Sequence, residues 1–89
     1  MYMNICDPKS IQDQAHRTEG QVQSIARMLS VQRDCSEVLQ QIVAARASLS
    51  KLGSMLLQAE AQGCLGGEKL GEEKVKDLER VVQNLFKIS

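Results

Sequence analysis

Residues 34–63 contain no proline and read as one helix of about thirty residues in a chain of 89. Its apolar positions (Val38, Leu39, Ile42, Val43, Ala45, Leu49, Leu52, Leu56, Leu57) cover more than one narrow stripe. A helix that is apolar on two sides needs partners on two sides. One partner is available nearby in the chain. After Asp7-Pro8, an N-cap followed by proline at the first helical position, Ile11, Ala15, Thr18, Val22, Ile25 and Leu29 alternate at spacings of four and three. This predicts a first helix over about 8–30, joined to the second by SVQRD and therefore antiparallel to it. The second partner is expected to be another subunit. Chains this short have small cores and commonly borrow burial from copies of themselves.

The glycine-rich stretch GCLGGEKLGEE, residues 63–73, reads as a joint. Beyond it Val75, Leu78, Val82 and Leu85 form one stripe, with Val81 and Ile88 beside it, so a third helix is expected over about 70–88. Gly20 interrupts the first helix without ending it and is expected to admit the close approach of another backbone. No alternating strand pattern is present. The expected fold is all-α: a single domain, 1–89, of three helices with a long central one.

Basic and acidic residues balance, eleven against eleven, so net charge does not choose a partner. Two aromatic residues are too few for a protein that binds single strands by base stacking. There is no run long enough to span a membrane, and MYMNICDPKS lacks the basic and apolar regions of a signal peptide. The expected location is the cytoplasm, where three cysteines are ligands, redox groups or inert thiols rather than a disulfide framework.

Asp34 reads as the N-cap of the second helix, with Glu37 placed to complete a capping box. Cys35 then occupies the first helical position, where free backbone N–H groups and the macrodipole favour a thiolate. Cys64 lies 29 residues further on, roughly 43 Å along a continuous helix. That excludes an intrachain disulfide, whose Cα atoms must lie within about 7 Å. If two such helices pair antiparallel about a twofold axis near residues 49 and 50, Cys35 meets Cys64 of the partner subunit, twice per dimer.

The segments RTEGQVQSIARML, DCSEVLQQI and LLQAEAQGC, with the two cysteines at that separation, resemble the CsoR/RcnR family of small bacterial repressors. The similarity spans about residues 9–65. It implies an antiparallel dimer assembled into a tetramer that binds operator double-stranded DNA and releases it when an inducer reacts at Cys35 and Cys64. It also implies DNA contacts from basic residues at Arg17, Arg46 and Lys51; a further position that is basic in the family is Gln14 here. Copper sensors of the family carry a histidine four residues before the second cysteine, and here that residue is Glu60. A carboxylate is a poor ligand for soft Cu(I). Two thiols without the histidine, preceded by RDC, are similar to the persulfide-sensing CstR-like branch. In that reading Cys35 attacks sulfane sulfur, Cys64 resolves the persulfide, and reactive sulfur species are the inducer with no resident cofactor. The alternative is a metal-responsive repressor holding Cu(I) or another transition metal through Cys35, Cys64 and Glu60.

Cys6 with Met1 and Met3 reads as part of a frayed start, and His16 beside Arg17 as a surface residue. No general base or oxyanion-donor set accompanies Cys35, so the chain does not read as an enzyme. Remoter readings are a sulfur carrier and a helical scaffold that binds no DNA.

Overall fold

The structure, a computed structural model, describes residues 7–63 and 71–84. It comprises α1 (Pro8–Ser30), α2 (Cys35–Ala61) and α3 (Glu72–Gln83), with no strand among the described residues. The all-α expectation holds. The ends shift by one or two residues: α2 stops at Ala61 rather than 63, and α3 starts at Glu72 rather than 70. Cys6, Cys64, Leu85 and Ile88 lie outside the described residues, as does most of the glycine-rich joint.

Local chemistry sets each boundary. Asp7 accepts from the Lys9 backbone N–H at 3.0 Å and from Ser10 Oγ at 3.1 Å, with Pro8 at the first helical position. At the other end of α1, Arg33 N–H donates to Met28 O at 2.9 Å and Gln32 N–H to Leu29 O at 3.2 Å. This is a Schellman closure, and it places Gln32 at φ 57°, a conformation usually left to glycine. The turn is tight, so α2 runs back antiparallel along α1. At the end of α2, Gly63 takes φ 72° and donates to Glu60 O at 3.0 Å.

The α1 face turned to α2 is the expected stripe only in part. Val22 and Leu29, placed on the buried stripe by their spacing, are 52 % and 61 % exposed. Thr18 of the stripe is buried and Ile11, Ala15 and Ile25 are half-buried, and Gln14, which is off the stripe, is buried beside them with Gln21 half-buried. A polar side chain can occupy a core face when every hydrogen bond it loses to water is replaced. Ser48 of α2 supplies the replacements. Gln14 Nε2 donates to Ser48 O at 3.1 Å and to Ser48 Oγ at 2.9 Å. Thr18 Oγ1 donates to Gln14 O at 3.0 Å, so its single proton is committed. The 2.7 Å contact between the Thr18 and Ser48 hydroxyls therefore has Ser48 as donor. The result is a closed ring: Gln14 amide to Ser48 hydroxyl, Ser48 to Thr18, Thr18 to the Gln14 carbonyl.

Gly20, expected to admit the close approach of another backbone, has no such neighbour among the described residues of the protomer. A Cβ built on it meets nothing within 4 Å among the described residues.

Buried apolar residues among those described are Val38, Ala45 and Ala59, a small core. On α3, Val75, Leu78 and Val82 are half-buried against α2, as their spacing predicts, while Val81 is 63 % exposed. Leu39, Ile42, Val43, Leu49 and Leu56 all remain exposed along α2. This is the second apolar side anticipated from the sequence.

Candidate functional site

Cys35 is the first residue of α2, a free and exposed thiol. Asp34 caps the helix, but its carboxylate accepts from Ser36 N–H at 3.2 Å, at the second helical position rather than the third. The reciprocal arm of the expected capping box is diverted. Glu37 Oε2 accepts from Arg33 Nε at 2.8 Å, because a guanidinium is a stronger donor than a neutral backbone N–H. That hydrogen bond, reinforced by the charge of Arg33, holds the Glu37 carboxyl below its ordinary range and raises the guanidinium. Cys35 therefore sits in an ordered helix start fixed on both flanks.

Glu60 is half-buried near the opposite end of α2. Twenty-five residues of helix separate it from Cys35, roughly 38 Å, so one protomer cannot bring the two together. His16 is exposed on α1, with Nδ1 3.5 Å from Glu19 Oε1. Among the described residues no group of three or more His, Cys, Asp or Glu side chains is placed to hold a metal ion. A shared ligand set requires a second subunit.

The basic residues divide between two sides of the molecule. Arg17 stands three residues after Gln14, and Lys51 three after Ser48. Each step is a rotation of about −60° round its helix. In an antiparallel pair, equal rotations away from the shared face end on the same side. Arg17 and Lys51, both exposed, thus flank the ring together. Arg46 lies about 140° round α2 from Lys51 and is half-buried; its Nη2 is shielded from solvent and has no hydrogen-bond partner among the described residues. Gln14, at the family's basic position, is turned into the α1–α2 interface and not toward solvent.

A family model for the metal-sensitive transcriptional repressors matches residues 7–84. The chain belongs to this family. No curated protein and no solved structure matches the chain. Membership makes the protein a transcriptional repressor of DNA-binding, oligomer-forming type and not a member of an enzyme class. Among the described residues no helix is long and apolar enough to cross a membrane.

The family assignment gives a purpose to the exposed side of α2. Leu39, Ile42, Leu49 and Leu56 are each between 42 % and 54 % exposed in the protomer. Fully burying such a side chain is worth about 1.5–3 kcal/mol, so covering the remainder returns roughly 1 kcal/mol apiece. Cys35, the exposed thiol at this helix start, shares that side. Sequence reasoning did not identify the Gln14–Thr18–Ser48 ring. Its only trace in the chain is a polar pair at i, i+4 inside an apolar helix pattern, easily discounted when apolar spacing is what is counted.

Proposed function

We propose that this repressor is an antiparallel dimer, assembled further into a tetramer, whose operator binding is released by sulfane-sulfur chemistry between Cys35 of one subunit and Cys64 of the other. The observation that carries this reading is the exposed Cys35 thiol at the start of a helix 27 residues long, with no group of three His, Cys, Asp or Glu side chains gathered to hold a metal among the described residues. The Cys35 thiolate attacks the sulfane sulfur of a persulfide or polysulfide. An S–S bond forms at Cys35, the donor's S–S bond breaks, and the donor leaves as a thiolate. The partner's Cys64 thiolate then attacks Cys35 Sγ and expels hydrosulfide, leaving an intersubunit disulfide. If Cys64 also carries a persulfide, the same displacement leaves a bridge one sulfur longer.

DNA contact falls to Arg17 and Lys51, which share one exposed side of the α1–α2 pair. Replacing either by Ala is expected to weaken operator binding and lower the salt slope by about one, with the oligomer intact. No helix of the pair is set up as a major-groove reader, so recognition runs through the phosphate backbone and duplex shape.

A second reading keeps the family's metal response. Glu60 lies four residues before Cys64 in the sequence, and an ion held by Cys35, Cys64 and Glu60 would meet two thiolates and a carboxylate. That set suits a borderline ion such as Zn²⁺ better than Cu(I). The deciding experiment measures operator release and intact mass after polysulfide, Cu(I) and Zn²⁺ are added separately. Release by polysulfide, with a covalent dimer that is lost in Cys35→Ala and in Cys64→Ala, supports the sulfur reading. Release by one equivalent of metal, with no response to polysulfide, establishes the other.

A further inference from the structure

We infer that Arg46 and Glu60 form an ion pair between subunits, twice per dimer, and that this pair fixes the register on which the sensing site depends. The inference rests on the antiparallel dimer just proposed. It assigns both residues to the subunit interface, Arg46 instead of the DNA face and Glu60 instead of a metal site.

The side of α2 left open in the protomer follows a coiled-coil seam. Leu39, Ile42, Arg46, Leu49, Gly53, Leu56 and Glu60 succeed one another at alternating spacings of three and four. Two of these positions are charged, and both are half-buried in the protomer already. Arg46 Nη2 is shielded with no hydrogen-bond partner among the described residues. A guanidinium donor in that condition is costly unless an acceptor reaches it.

A twofold axis near residues 49 and 50 of α2 sets Arg46 opposite the partner's Gly53. It sets Leu39 opposite the partner's Glu60. Gly53 leaves a gap where every other seam position has a side chain. An apolar groove of about 450 Å³ opens there, between α2 and α3, with Gly53 at one end and Glu60 at the other. Arg46 of one subunit enters beside the partner's Gly53.

Side-chain direction does the rest. On an α-helix, long side chains lean toward the N-terminus of their own helix. In an antiparallel pair those directions oppose. Arg46 leans toward its own Ile42, which is toward the partner's Glu60; that Glu60 leans back toward its own Leu56, which is toward Arg46. The two residues start about 10 Å apart along the axis and converge within an apolar groove. An arginine paired with a carboxylate there is worth more than at the surface, and either residue alone is penalised. Such a pair selects one register against those slipped by a turn, the best-attested use of polar residues in an apolar seam.

The test is a charge swap read by assembly. Dissociation on dilution is followed by sedimentation for wild type, Arg46→Glu, Glu60→Arg and the two combined, with cysteines reduced. Each single reversal places like charges in the groove and should weaken the dimer about tenfold to a hundredfold. The combined variant should recover to within a few-fold of wild type. Should the reversed variants fail to fold, the cycle of Arg46→Gln, Glu60→Gln and both together gives the same decision through its coupling. A combined variant as weak as the singles overturns the pair. So does Arg46→Gln that loses operator affinity with assembly unchanged. Failure of the dimer reading itself has a different signature: wild type that stays monomeric, or forms no cross-link through Cys35 and Cys64.

Discussion

The ring of Gln14, Thr18 and Ser48 predicts a specific pattern of non-additivity. Ser48→Ala removes the Gln14-to-Ser48 bond of 2.9 Å and the hydroxyl contact of 2.7 Å. It leaves Gln14 Nε2 bonded to the carbonyl of residue 48 at 3.1 Å and Thr18 bonded to Gln14 O at 3.0 Å. Two net hydrogen bonds are worth about 1–3 kcal/mol, and alanine returns roughly 0.5 kcal/mol of helix propensity. The expected loss is about 1–2 kcal/mol. Gln14→Leu keeps the volume but removes the amide, so the Ser48 hydroxyl and carbonyl both lose a buried donor; about 1–2 kcal/mol is expected again. The combined variant removes both partners and leaves an apolar contact of similar shape, which costs little. It should be less destabilised than the sum of the singles by at least about 1 kcal/mol. Urea unfolding followed by far-UV circular dichroism, at one fixed protomer concentration because the protein self-associates, measures all four species. Additivity within about 0.5 kcal/mol would show that the three residues do not act as a unit and would refute the ring.

Three further outcomes follow from local geometry. Gln32→Gly should stabilise the protein by about 1 kcal/mol, because residue 32 sits at φ 57° where only glycine is unstrained; a lower unfolding midpoint would contradict this. Gly20→Ala should add about 0.5–1 kcal/mol, since it occupies a helix interior with open space around it, and thermal melts will show a loss if something packs there. The Glu37 carboxyl is held low by Arg33, so its contribution is present above the ordinary carboxylate range and is lost as pH falls through the depressed value. Its carboxyl titration, followed by NMR, should move upward in Arg33→Gln, and an unchanged midpoint would remove the ion pair from the account.

What the sequence revealed of the fold was the part written in strong local signals. Asp7-Pro8 and Asp34 fix two helix starts through short-range bonds that depend on nothing distant. The two-sided apolar pattern of α2 correctly marked a helix with an open face. The stop of α1 near residue 30 was legible as the connection SVQRD, but its mechanism was hidden. Schellman closures usually announce themselves by glycine, and here Gln32 takes that place.

The candidate site was legible to a different depth, and the reason lies in how α1 turns. Spacing alone cannot tell which of two overlapping stripes faces the neighbour when both contain apolar residues. Ile11, Ala15, Thr18, Val22, Ile25 and Leu29 satisfy the heptad rule, and Thr18 with Ile11, Ala15 and Ile25 does turn inward, yet the helix is rotated so that Gln14 joins them in the interface and Val22 and Leu29 leave it. What decides the rotation is Ser48, 30 residues beyond Thr18 in the chain. A glutamine counts as a surface residue until its partner is known. The same rotation settles which basic residues can act together. Gln14 points inward, Arg17 and Lys51 come to one side, and Arg46 lies on the side of α2 away from Ser48. Which basic residues share a side depends on the phase between two helices, which residue spacing within one helix does not carry. That phase is set in this chain by three polar side chains closing a ring.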